Sequence, residues 1–160
     1  MATFDISSEF NKQEVTNAVD QCHREISNRY DFRDTNTSVS LMDSSILLKS
    51  STLDRMLAAE QVLREKFVKR NVSVKFLGDV KDETLPSEVK RTYNLKSGID
   101  QLTSKKIITL LKKSNKKIQC SYQNESIRVT SKKRDDLQVA ITLIKDSDIV
   151  TPLNFGNFRD

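Results

Sequence analysis

Glycine and proline are nearly missing: the 160 residues include 3 Gly and 2 Pro. That leaves little material for flexible linkers, so helices and strands must fill most of the length. Cysteine is as scarce. Cys22 and Cys120 stand far apart, with no second Cys or His at metal-ligand spacing. Each falls on the apolar stripe of its element and reads as a buried free thiol, a usage that suits a reducing cytoplasm. His23 is the one histidine. On a helix it would point about 100° away from Cys22, so the two do not form a nucleophile–base pair. There is no GxxxxGK[ST] loop and no GxGxxG turn to cradle phosphates. Long apolar runs are also lacking, and the start Met1-Ala2-Thr3-Phe4-Asp5 shows no basic-then-apolar export pattern. The expectation is a cytoplasmic protein without a membrane span, a metal, a cofactor or catalytic activity.

What is present is charge, unevenly placed. The net charge of +5 divides into 11 Lys+Arg against 12 Asp+Glu in residues 1–80, and 16 against 10 in residues 81–160. From Lys90 to Arg134 there are 13 cations against only Asp100 and Glu125. A basic second half points to a phosphate-bearing partner through steering and counterion release.

The order of elements repeats. Phe4–Phe10 alternates as a strand, and a stripe of Val15, Ala18, Val19, Cys22 and Ile26 marks a helix entered at Asn11. Ser38–Met42 and Ser45–Ser50 form a hairpin around Asp43-Ser44. A second helix runs through Leu53–Phe67, with a fourth strand at Val72, Val74 and Phe76. After the polar stretch Asp79–Ser87 the pattern recurs. A strand at Arg91–Lys96 leads to a helix at Ile99–Lys113. Strands Lys117–Tyr122 and Ser126–Thr130 flank Asn124-Glu125, and a helix with Leu137, Ala140, Ile141 and Ile144 precedes a strand near Leu153–Phe158. The fold class expected is therefore α+β: two ferredoxin-like βαββαβ domains, each a four-stranded antiparallel sheet with two helices on one face. The boundaries are 1–80, a linker at 81–88, and 89–160. The sequence leaves open whether the first strand pairs within its own half or crosses to the other sheet.

Several segments resemble the YajQ family of bacterial nucleotide-binding proteins. They are Phe4-Asp5-Ile6, the helix opening Asn11-x-x-Glu14-Val15-x-Asn17-Ala18, and Glu25-Ile26-x-x-Arg29-Tyr30-Asp31-Phe32-Arg33. In the second half they are Lys105-Lys106-Ile107, Ile127-Arg128-Val129-Thr130, Lys133-Arg134-Asp135-Asp136-Leu137-Gln138, and Asn157-Phe158-Arg159-Asp160. The resemblance implies two ferredoxin-like domains and a purine nucleotide ligand such as GTP or ATP. Some members are described as binding cyclic di-GMP or nucleic acid. It implies no catalytic residues, and Val74–Val89 departs from the pattern.

Connectivity places a binding site. In βαββαβ order, the loop before the second strand, the loop after the third strand and the C-terminus share one end. That end gathers Lys112, Lys113, Lys116 and Lys117, then Lys132, Lys133, Arg134 and Arg159, with Lys90 and Arg91 joining from the first strand. Lys112 and Lys113 suit a helix C-terminus, but Lys132-Lys133-Arg134 stand at a helix N-terminus, where cations are disfavoured unless an anion binds. Asp135-Asp136 at the same place complement the dipole rather than a metal. Lys116, Lys117, Arg128, Lys132, Lys133, Arg134 and Arg159 are thus the candidate phosphate ligands. The open face of the second sheet (Lys117, Gln119, Ser121, Gln123, Arg128, Thr130) carries no stacking ring, which argues against base-stacking recognition of RNA there. Weaker candidates are Lys96 and Gly98, before a helix, and the Arg29, Phe32 and Arg33 run. The competing reading of that run is a helix end with Tyr30 and Phe32 packed inward. An accessory protein gripping an RNA or DNA backbone with the same basic end is the alternative function.

Overall fold

The computed structural model describes residues 1–160. In chain order the elements are β1 (Ala2–Ser7), α1 (Lys12–Asn28), β2 (Ser38–Met42), β3 (Ser45–Ser50), α2 (Leu53–Lys69), β4 (Val80–Thr84), β5 (Val89–Asn94), α3 (Gln101–Ser114), β6 (Gln119–Gln123), β7 (Ser126–Ser131), α4 (Arg134–Lys145) and β8 (Asn154–Arg159). Two four-stranded antiparallel sheets result, ordered β6-β7-β1-β8 and β2-β3-β5-β4. The helices α3 and α4 pack on the first, α1 and α2 on the second. The chain is an α+β protein of two ferredoxin-like domains.

The domains do not divide at 81–88. One is discontinuous and joins Met1–Glu9 to Ser97–Asp160; the other, Phe10–Lys96, is inserted between its first strand and first helix. β1 crosses over and lies between β7 and β8, with Phe4 opposite Val129 and Ile6 opposite Phe155. The vacant place in the inserted sheet is taken by β5, which pairs with β3 and β4. Each domain keeps the ferredoxin-like layout, the inserted one in permuted chain order.

Three further expectations are corrected. Val72–Phe76 is not a strand: Val74–Leu77 is a 3₁₀ turn that buries Phe76 and Leu77 side by side, and Phe76 meets Phe10 edge-on with ring centroids 5.1 Å apart. The supposed linker carries β4, an exposed edge strand whose charged residues deter further pairing. Finally, the strand expected at Arg91–Lys96 is β5, Val89–Asn94, and it belongs to the inserted sheet.

The exchange follows from what each strand turns inward. β1 buries Ala2, Phe4 and Ile6, and these meet Ile107 and Leu111 of α3 and Leu137, Ala140 and Ile144 of α4 in one apolar cluster. β5 buries Tyr93 and half-buries Arg91, and both need a polar partner. Glu60 on α2 supplies it: Arg91 Nη1 stands 2.6 Å from Glu60 Oε2, and the Tyr93 hydroxyl donates to the same carboxylate. α3 carries no acid, and α4 has only Asp135 and Asp136 in its first turn, of which Asp136 is already 3.2 Å from the Ser131 hydroxyl.

Candidate functional site

Register fixes the ends of the discontinuous sheet. Ala2 faces Ser131, Thr3 faces Arg159, and Gln119 faces Thr130. The loop into β6, the loop from β7 into α4, and the C-terminus therefore share one end. Lys112, Lys113, Lys116, Lys117, Lys132, Lys133, Arg134 and Arg159 cluster there and all are exposed. Lys90 and Arg91 do not join them. Both lie in the inserted domain, where Lys90 pairs with Glu88 and Arg91 with Glu60 and Asp82. Grouped by domain as folded, Lys+Arg against Asp+Glu is 12 to 9 in the discontinuous domain and 15 to 13 in the inserted one. The contrast between halves of the sequence thus shrinks to a local basic end.

At that end α4 begins without a side-chain cap. Asn11, Thr52 and Asp100 each cap their helices by accepting a backbone N–H, whereas Lys133 makes no such bond. Ser131 Oγ accepts from the Lys133 amide at 3.3 Å and is itself 3.2 Å from Asp136 Oδ2. Arg134 forms one exposed pair, with Asp160 at 2.8 Å.

Arg128 is not a free cation. On the open face it pairs with Asp5 (Nε–Oδ1 3.0 Å), and Asn157 donates its side-chain amide to the same carboxylate at 2.7 Å. The Arg128 hydrogen bond, working against burial and aided by Asn157 and Arg159, holds the Asp5 carboxyl below the usual aspartate range. Asp5 and Asn157 were not singled out from sequence. Asp5 is the polar member of an alternating strand, and the left-handed φ of 55° at Asn157 cannot be read from composition.

The weaker candidates lie elsewhere. Lys96 belongs to the inserted domain and pairs with Asp79 at 3.4 Å. Arg29 is held by Glu25 and Asp31 and lies 5.0 Å over the Phe32 ring, which is buried. Tyr30 is not packed inward: it is 82% exposed, with Arg33 5.9 Å over its ring. Cys22 is buried, which pushes its thiol up to about 12; burial also raises Cys120. Thiols so shifted are poor nucleophiles at neutral pH.

Gly98 stands at the opposite end of the sheet, where it does turn work. Its φ is +95°, and a Cβ there would lie 2.2 Å from Glu125 Oε2. The neighbouring Ile99 amide donates to the Glu125 carbonyl, tying α3's entry to the β6–β7 hairpin. Gly98→Ala should cost about 1–3 kcal/mol through the disallowed φ, read as a lowered urea midpoint at unchanged m-value. An unshifted midpoint would contradict this assignment.

The family model described as nucleotide-binding protein YajQ-like matches residues 2–159. Relatives named "Nucleotide-binding protein" align over the whole of both chains. One from Hahella chejuensis is 42% identical, one from Coxiella burnetii (strain RSA 493 / Nine Mile phase I) 42%, and one from Nitrosococcus oceani 37%. With the match spanning both domains and every strand of both sheets, the chain belongs to the YajQ-like family.

Proposed function

We propose that the chain is a non-catalytic nucleotide-binding module, whose discontinuous domain holds the phosphates of a purine nucleotide, GTP, ATP or cyclic di-GMP, at its basic end. The observation that carries the reading is the uncapped start of α4 amid Lys132, Lys133 and Arg134, with Lys116, Lys117 and Arg159 on the neighbouring loop and strand end. Free backbone N–H groups at a helix start favour an anion, and a bound phosphate would offset the dipole cost of cations there. The family and the names of the relatives support a nucleotide as that anion. No helix is long and apolar enough to cross a membrane, and two unpaired cysteines suit a cytoplasmic setting.

Lys133→Ala with Arg134→Ala should weaken nucleotide binding at least about tenfold, or roughly 1.4 kcal/mol, by titration calorimetry. Stability should barely change, because the Arg134–Asp160 pair is exposed and such pairs contribute little. Lys69→Ala with Lys75→Ala, two exposed lysines of the inserted domain, is the control. If the control weakens binding as much as the test pair, the site lies elsewhere. Affinity that falls steeply with salt, and is higher for a short RNA or DNA than for mononucleotides, would favour the backbone-gripping alternative.

A further inference from the structure

A sheet edge exposes a row of unpaired backbone N–H and C=O groups, and folds usually blunt it against further strands. The edges here are β2 and β4 in the inserted sheet, and β6 and β8 in the discontinuous one. Lys81, Asp82 and Glu83 blunt β4. A register shift against β1 and the left-handed Asn157 blunt β8 by bending it out of line. β6 has neither device. Gln119-Cys120-Ser121-Tyr122-Gln123 holds no charge, no Pro and no Gly, and it pairs with β7 without irregularity.

The hairpin decides which backbone groups of β6 are free. Asn124 and Glu125 have φ of 52° and 61°, the two-residue turn that leaves Gln123 and Ser126 as a hydrogen-bonded pair. Alternation then turns the N–H and C=O of Gln119, Ser121 and Gln123 toward β7. Those of Cys120 and Tyr122 point outward, where no hydrogen bond within the chain takes them up. The side chains of the same two residues lie on the inner face yet stay half-buried, whereas Ile127 and Val129 beside them on β7 are wholly buried.

The occupant that fits this edge is a second copy of it. Run antiparallel about a two-fold axis at Ser121, β6 sets Cys120 opposite Tyr122 of the second copy, and Tyr122 opposite its Cys120. These are the residues with free groups, so each pair exchanges both bonds and covers the half-buried side chains. Gln119 meets Gln123, and just beyond the strand Lys117 meets Glu125, so opposite charges close each end of the ladder; both are exposed. The remaining edge, β2, lacks this match, since pairing about its central Ser40 would set Asp43 opposite Thr37.

We propose that β6 pairs with β6 of a second copy, joining two discontinuous domains into one continuous antiparallel sheet. The inference does not rest on the phosphate site. A five-residue edge buries less than the roughly 1,200 Å² at which stable interfaces begin, so the dimer is weak and forms as concentration rises. Lys112, whose charge acts on Cys120 in each copy, adds a like-charge cost that keeps it so.

Sedimentation of the full chain from micromolar to millimolar concentration should show the mass climbing from monomer toward dimer, with amide shifts confined to residues 117–125. Ser121→Glu sets two carboxylates against each other across the axis, but beside Arg128 of its own chain. It should remain monomeric and melt no lower than the wild type. Crosslinking reads the register. A non-hydrogen-bonded pair holds its Cα atoms about 4.5 Å apart, within the roughly 4.4–6.8 Å that a disulfide spans. In a Cys120→Ser background, Ser121→Cys should therefore oxidise to a covalent dimer. Gln119→Cys, which lies far from its own copy in this register, should not. A chain that stays monomeric to millimolar concentration overturns the proposal and leaves the edge to a strand of another protein. So does a dimer that persists in Ser121→Glu, or crosslinking of Gln119→Cys as fast as that of Ser121→Cys.

Discussion

A fragment of residues 89–160 should fail to fold, whereas Phe10–Lys96 should fold alone. The shorter fragment contains α3, β6, β7, α4 and β8 but lacks β1, the strand that joins β7 to β8. Without it β8 has no neighbour, and the fully buried Phe4 and Ile6 leave a hole at the centre of the apolar cluster. Removing one large core side chain typically costs about 3–5 kcal/mol, and a small domain has only about 5–15 kcal/mol in all. The fragment also carries β5, an unpaired strand that invites association. The inserted segment has all four of its strands and both helices, with Tyr93, Leu48, Ile46, Phe67 and Met56 closing a core of their own. Joining Met1–Glu9 directly to Ser97–Asp160 through a short Gly-Ser linker should restore the missing domain, because the Gly98 amide already donates to the Ser8 carbonyl. Dispersed amide NMR spectra and cooperative melting are the readouts. Cooperative melting of the 89–160 fragment would reject the strand exchange.

The alternation of Phe4, Ile6 and their neighbours shows that β1 is a strand with one buried face, and the stripes of α1 to α4 are equally plain. A period of two says nothing about which sheet receives the strand, because both sheets present an apolar inner face. The deciding feature is a residue pair 31 positions apart, Arg91 with Glu60. Neither residue is unusual alone, and the pair can be recognised only once both inward faces are known. The 3₁₀ turn at Val74–Leu77 was missed for a related reason. Val72, Val74 and Phe76 alternate in the sequence, but the bulk of Phe76 and Leu77 together drives the backbone to bury adjacent side chains. The basic end was readable because chain direction alone brings its loops together. The pairing of Arg128 with Asp5 was not: it depends on β1 lying beside β7, a register that residue order does not show.

Arg91→Met should destabilise the inserted domain by about 3 kcal/mol at pH 7, the low end for removing one partner of a buried ion pair. Arg91 and Glu60 have side chains only 17% exposed, and Arg91 also grips Asp82 with two bonds of 2.7 and 2.9 Å. Arg64 adds a weaker contact to Glu60 at 3.4 Å, and Tyr93 donates its hydroxyl. Burial opposes ionisation of Glu60, but Tyr93, Arg91 and Arg64 outweigh it and hold the carboxyl below the usual glutamate range. The Arg91 hydrogen bonds likewise lower Asp82, and burial with the nearby carboxylate raises the Tyr93 phenol. A carboxylate depressed in the folded state contributes stability above its unfolded value, near pH 4, and loses it as acid titrates the folded group. Wild-type stability should therefore fall as the pH drops below about 5. In Arg91→Met the Glu60 carboxylate keeps its burial and loses its main cation, so acid relieves it. The gap between variant and wild type should then narrow steadily toward pH 4, as urea denaturation across that range would show. Replacing the whole network with Glu60→Met, Arg91→Met and Tyr93→Phe together should recover most of the loss at pH 7, because apolar groups of similar size leave no charge or hydroxyl unpaired. If the triple variant is as unstable as Arg91→Met, packing around the aliphatic stem of Arg91 holds the strand, and the charges do not.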